Sequence, residues 1–297
     1  MSLDIAASLA RQLIVLAQRT TLEGAGGFSG AGFAARGDDR PFPQADFERQ
    51  TFGDLFKLFP EYPLRDAIRG STLLDLGCGY GGKAVEYRLQ CGAARVCGVE
   101  PHPSMIDQAR KYAATRSVAN VEFEVCGPCS IPYADETFDL VVTHDVLEHV
   151  DDPRVTVGEI FRVLRPRGLS VNVFPVYLGA LSHHLDYIVN IPGIHWLFSP
   201  HTLVRAVNDV LKDNPQFGTA LQPEPRRSFD GVRDVLPSLN GLSGAHLATL
   251  FDAFETVSMR RIGLGLRGLG FLANSRLPLR VRDMMTGTVV GIHRKPL

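Results

Sequence analysis

The chain has 297 residues, 45% apolar and 21% charged, and its 31 Lys and Arg nearly cancel its 32 Asp and Glu. That balance excludes a disordered tail and a generally basic nucleic-acid binder, and the length buries a sizeable core without covalent staples. Five cysteines, an odd number, argue against a disulfide framework and for a reducing, cytoplasmic setting.

Ile5, Leu9, Leu13 and Leu16 predict an amphipathic helix interrupted by Asp4 and Arg11; no small-residue cleavage site follows, so it does not read as a secretion signal. Residues 1–70 are expected to be a helical N-terminal segment, with a glycine-rich break (Gly24, Gly26, Gly27, Gly30, Gly32) and a phenylalanine-rich helix around Phe47 to Phe59. Such a break suits either a lid or a plain surface loop. From residue 72 short apolar runs alternate with helical ones. Strands are predicted at Thr72–Leu76, Arg95–Val99, Val121–Val125, Phe138–Thr143 and Leu169–Phe174. Helices are predicted at Gly82–Gln90, Ser104–Thr115 and Pro153–Leu164, the last capped by Asp151 or Asp152. This alternation over residues 71–174 requires crossovers, hence a parallel sheet with helices on both faces.

The regularity then stops. Residues 175–239 are expected to be a helical insertion over the carboxyl edge of the sheet, with a helix over Pro200–Lys212 and Ser199 as its N-cap. Residues 240–297 return to the core with a helix near Ala245–Phe254 and strands near Thr256–Ile262 and Thr288–Arg294, which makes seven strands in an α/β class. The uncharged stretches Leu169–Leu185 and Tyr187–Val204 are short and broken by Pro175, Gly179, Pro192 and Gly193, so no transmembrane anchor is expected.

Between the first strand and its helix lies Asp75-Leu76-Gly77-Cys78-Gly79-Tyr80-Gly81-Gly82. Glycines there let a ligand approach the main chain, and the N–H groups at the helix start favour an anionic group. Glu100 ends the second strand, where a carboxylate can accept from both hydroxyls of a ribose. A nucleoside site follows, although Gly77-x-Gly79-x-x-Gly82 alone also fits a dinucleotide fingerprint and, equally, a merely tight turn.

Four motifs in order carry a resemblance: Leu-Asp-Leu-Gly-Cys-Gly-Tyr-Gly, Gly-Val-Glu-Pro, the run from Ile131 to Pro153, and Val-Leu-Arg-Pro-Arg-Gly. Together, over about residues 72–174, they resemble the class I S-adenosylmethionine-dependent methyltransferases, in the small-molecule subgroup similar to the ubiquinone and menaquinone biosynthesis enzymes. The resemblance implies a Rossmann-like core. It further implies that Asp75 and the backbone of Gly77, Cys78, Gly79 and Gly81 hold the methionine end of S-adenosylmethionine, that Glu100 holds the ribose, and that His144 and Asp145 flank the methionine moiety. Where the family often places an aspartate for adenine, this chain has Gly127. Backbone contacts from Gly127, Pro128 and Cys129, with Pro101, His102 and Ile131 alongside, are the expected substitutes.

A methyl acceptor that is a hydroxyl needs a general base, whereas a neutral amine does not. His149, after the fourth strand, and His184 or His183, in the insertion, are the candidates; adjacent histidines point apart, so at most one of the pair faces a pocket. Tyr177, Tyr187, His195 and Trp196 are the expected acceptor contacts, with core packing as the plain alternative. His184-x-Asp186 with His195 is set aside as an iron site, and Cys126-x-x-Cys129 lacks the second half of a zinc site, so no metal is expected. From Glu255 onward eight Lys or Arg face two acids, read as a solvated face, with no nucleic-acid partner expected. The reading is a methyltransferase for a small organic molecule, O-methylation first, as a monomer or a homodimer. A nicotinamide-dependent oxidoreductase and a non-catalytic scaffold that keeps the cofactor fold are its rivals.

Overall fold

The computed structural model describes residues 3–21, 41–185, 188–189, 191–215, 220–264 and 270–297. The glycine-rich break lies outside them. Two compact units emerge: one comprises Ala34–Phe174, His246–Arg260 and Val289–Leu297, the other Met1–Phe33, Pro175–Ala245 and Arg261–Thr288.

The first unit is built on β1 (Thr72–Leu76), β2 (Arg95–Glu100), β3 (Val121–Val125), β4 (Phe138–His144) and β5 (Leu164–Phe174), joined in a seven-stranded sheet by β8 (Glu255–Gly263) and β9 (Thr286–Arg294). The order is β3-β2-β1-β4-β5-β9-β8. The first five strands run parallel and β9 pairs antiparallel with β5. Leu73, Leu74, Val141 and Val142 are wholly buried, as continuous apolar runs must be in strands covered on both faces. Four helices accompany them: α2 (Pro43–Thr51), α5 (Gly82–Leu89), α6 (Pro103–Thr115) and α7 (Pro153–Val163), with short α3 (Asp54–Lys57) and α4 (Leu64–Ile68) between α2 and β1. Asp152 caps α7 by accepting from Arg154 N at 2.8 Å.

Three expectations are corrected. The phenylalanine-rich helix starts at Pro43 and breaks at Phe52–Gly53, where Phe52 turns inward to meet Tyr87 edge-on at 5.0 Å. Strand β5 begins at Leu164, not Leu169, because a register shift lets Leu164 pair with Phe138 while Lys295 N donates to Gly168 O. The helix near Ala245–Phe254 shrinks to α10 (Leu247–Leu250): Phe251 stacks on His293 at 3.9 Å and Phe254 meets Phe161 at 5.1 Å, and holding both rings unwinds the turn between them.

The second unit packs α1 (Leu3–Thr21) against α9 (Pro200–Asp213). A fourth correction concerns α1: its buried face is Ala6, Ala7, Ala10 and Ile14, while Ile5, Leu9 and Leu16 are exposed. Alanines let the two helix backbones approach, and Ile14 joins Leu203, Val207 and Leu236 in one core. Arg11–Asp213 and Arg205–Asp4 ion pairs flank that contact. The unit also holds α8 (Ile194–Leu197), the hairpin β6 (Arg226–Arg227) and β7 (Asp234–Val235), and α11 (Leu279–Met284). No helix among the described residues is long and apolar enough to cross a membrane. Ser199 Oγ accepts from Thr202 N at 3.2 Å and so satisfies the start of α9. Ser199→Ala is therefore expected to cost about 1 kcal/mol of stability, read as a lower denaturant midpoint at unchanged slope.

Candidate functional site

In the first unit β1 lies between β2 and β4, so the chain leaves it in opposite directions and opens a crevice at the carboxyl ends of β1 and β4. At the end of β1 the backbone turns on Gly77 (φ +76°), whose N–H donates to Val99 O at 2.8 Å, and enters α5 through Gly81 (φ +81°). A Cβ on Gly81 would lie 2.8 Å from both Ala109 Cβ and the Phe123 ring. The turn is thus fixed by packing as well as open to a ligand. At the end of β4, Asp145 adopts the left-handed conformation (φ +57°), rare for a non-glycine residue, with its N–H on Val173 O at 2.8 Å.

A cavity of about 350 Å³ occupies the crevice. Of the residues picked from the sequence, Gly77, Glu100, Pro101, His102, Gly127, Pro128, Cys129, Asp145 and His149 line it, together with apolar Leu76, Ile131, Val146 and Val150. Glu100 is largely buried, and its Oε1 lies 2.7 Å from His102 Nδ1 on an exposed ring. Gly127 bridges to Ser130, and a Cβ there would displace Ser130 Oγ. Asp75, Cys78, Gly79, Gly81 and His144 do not line the cavity. Asp75 and Cys78 are buried, and the His144 ring turns to Lys83, Nδ1 lying 3.0 Å from Nζ.

Three charged residues beside the site are not among those picked from the sequence. Lys83 is one. Glu48, on α2, places Oε1 3.0 Å from Tyr80 N and Oε2 2.7 Å from Gly82 N, accepting from both turn amides. Glu148 is buried with neither oxygen hydrogen-bonded among the described residues, and His149 Nε2 sits 3.7 Å from its Oε1. Burial raises the Glu148 carboxyl, and Asp145 adds to the effect. Burial likewise lifts Glu48 to about 7 against the lowering effect of the two amides and Lys83, and lifts Asp75 to about 7 with Lys83 opposing. His144 is pushed down to about 4 by burial first and Lys83 second, so it is neutral near pH 7.

Residues 74–171 match the family described as methyltransferase domain. Residues 74–171, about a third of the chain, thus carry a methyltransferase domain. Its relatives include a Neisseria meningitidis ubiquinone biosynthesis O-methyltransferase, 34% identical over 124 residues that make up 41% of this chain and 52% of that protein. A Schizosaccharomyces pombe sterol 24-C-methyltransferase is 36% identical over 124 residues, 41% of this chain and 31% of that one. The chain thus spans about half the length of the first and about a third of the second. A solved chain from the Haloferax volcanii complex of the Trm112 methyltransferase activator shares the fold at TM-score 0.52 and 18% identity, covering 90% of this chain and 96% of its own.

The methyltransferase domain's residues fit S-adenosylmethionine. The cavity is roomy and mostly apolar, Glu100 offers a ribose acceptor, and Asp75 Oδ2 is a buried acceptor with no hydrogen-bond partner among the described residues. In the second unit Tyr177, His183, His195 and Trp196 gather: His195 lies 5.8 Å from Tyr177, 5.7 Å from His183 and 5.8 Å from Trp196, ring centre to ring centre. His183 is buried with Nδ1 accepting from Leu185 N at 3.1 Å, while His184 is half-buried at φ +53°. Burial and then His183 press His195 down to about 3. Tyr187 and Asp186 lie outside the described residues.

An acid lifted by burial favours the folded state only while protonated, so Asp75 weighs against the unliganded fold increasingly from pH 4, near its unfolded value, up to about pH 7. Asp75→Asn should accordingly raise Tm by a few degrees above pH 7, with the gap closing toward pH 4, while cofactor affinity falls. Thermal scans across pH without ligand, paired with calorimetry, check both halves.

Proposed function

We propose that the chain transfers a methyl group from S-adenosylmethionine to a small organic acceptor, an oxygen acceptor first, using the crevice of the methyltransferase domain. The observation that carries this reading is the cavity bounded by the glycine turn, Glu100 and the Gly127–Cys129 turn, with the unpartnered Asp75 oxygen nearby. Glu100 would take the ribose hydroxyls, braced by His102 Nδ1; Gly127 to Cys129 and Ile131 would line the adenine; Gly77 would let the main chain close on the methionine end.

When bound, the cofactor supplies a methyl already activated on a sulfonium. The chain's task is then alignment and exclusion of water, worth up to about 7–11 kcal/mol in well-oriented systems. A hydroxyl acceptor also needs its proton removed. His149, on the cavity wall with the buried Glu148 carboxyl 3.7 Å from its Nε2, is the residue placed to hold that proton.

Two features weigh against a nicotinamide cofactor. A dinucleotide seats its pyrophosphate on the amides at the helix start, and here Glu48 already fills those of Tyr80 and Gly82. The matched family is also a methyltransferase domain. One relative is named for oxygen and one for carbon methylation, so the likeness over the shared segment is compatible with either acceptor atom.

Glu100→Ala should weaken S-adenosylhomocysteine at least about tenfold by calorimetry at nearly unchanged Tm, and unaltered affinity rejects the placement. With phenolic, amine and carbon-acid acceptors offered in parallel, mass spectrometry is expected to find the methyl on a phenol. With that acceptor His149→Ala should lower kcat while leaving KM and stability close to wild type; a loss of stability instead marks a packing role.

A further inference from the structure

The glycine turn already holds a carboxylate, and it comes from outside the segment that carries the family motifs. Glu48 sits in α2, which packs on α5, and both its oxygens are held, one by Tyr80 N at 3.0 Å and one by Gly82 N at 2.7 Å. The approach is close: a Cβ on Gly79 would lie 2.6 Å from Glu48 Oε1, and one on Gly82 would lie 2.7 Å from Glu48 Cβ. Two amides fix the direction of the carboxylate and leave each oxygen a further lone pair.

Asp75, at the end of β1, is an independent observation in the same place. It is only 4% exposed, and its Oδ2 has no hydrogen-bond partner among the described residues. Glu48, Asp75 and Glu100 lie within electrostatic reach of one another, facing Lys83 from α5. Three acids to one ammonium leave this corner short of positive charge. The amides that would take a ligand's carboxylate are at the same time spent on Glu48.

We propose that Glu48 is a cofactor-binding residue: held by the Tyr80 and Gly82 amides, it takes the α-ammonium of the methionyl end, beside Asp75, so that this end is recognised through its positive group. The inference rests on the S-adenosylmethionine reading above. Burial lifts both carboxyls to about 7, and a cation beside them would lower them again.

The test titrates wild type and Glu48→Gln by calorimetry with three ligands: S-adenosylhomocysteine, its deaminated analogue, and 5′-methylthioadenosine, which lacks the whole amino-acid end. Wild type should bind S-adenosylhomocysteine at least about tenfold more tightly than the deaminated compound. Glu48→Gln, which keeps the shape, should erase that difference and leave 5′-methylthioadenosine unchanged. Equal losses for all three ligands, no loss, or tighter binding of S-adenosylhomocysteine by the variant overturns the proposal, the last because the carboxylate would then be a plug. The wild-type comparison stands even where the variant fails to fold. Wild type that binds none of the three overturns the cofactor reading itself.

Discussion

The first N–H groups of a helix have no partner within it, and at the start of α5 this rule meets a turn made of glycines with no side chain to offer. The chain resolves the deficit from a distance: Glu48 of α2 reaches the amides of Tyr80 and Gly82. That contact docks α2 on α5. It also sets a second acid beside Asp75. A site so arranged trades stability for charge, because burying acids beside a single lysine is costly until a cation arrives.

The cofactor half of the molecule is legible in the sequence because its signals are local. A strand, a glycine turn and a helix succeed one another within twenty residues, and Glu100 stands at the end of the next strand, where register with β1 brings it to the same edge. The run Phe138 to Asp145 likewise names its own position. Glu48 has no such signature: one glutamate on a polar helix gains its role only when α2 lands on the turn. The start of β5 at Leu164 has no local signal, because the register with β4 steps from Leu164 to Leu169. The helix expected near Ala245–Phe254 failed because its period was set by Phe251 and Phe254, whose rings belong to His293 and Phe161.

The second unit was less readable for a related reason. It is assembled from three separated stretches, and its first helix buries alanines while showing larger apolar residues to solvent. Hydrophobic periodicity weights the large residues, so it found the helix and chose the wrong face. The histidines fare similarly: no spacing rule gathers Tyr177, His183 and Trp196 around His195.

The pairing of Lys83 with His144 has one more consequence. An ammonium has hydrogens to give and no lone pair to receive, so the nitrogen it meets, Nδ1, must be the bare one. The neutral ring then carries its hydrogen on Nε2, the atom 3.6 Å from an Asp145 oxygen. A single tautomer is selected without any charge on the imidazole, and the ring's dipole sets its negative end toward Lys83 and its positive end toward Asp145. Polarity set at the foot of α5 is in this way handed across to the end of β4, the two lips of the same crevice.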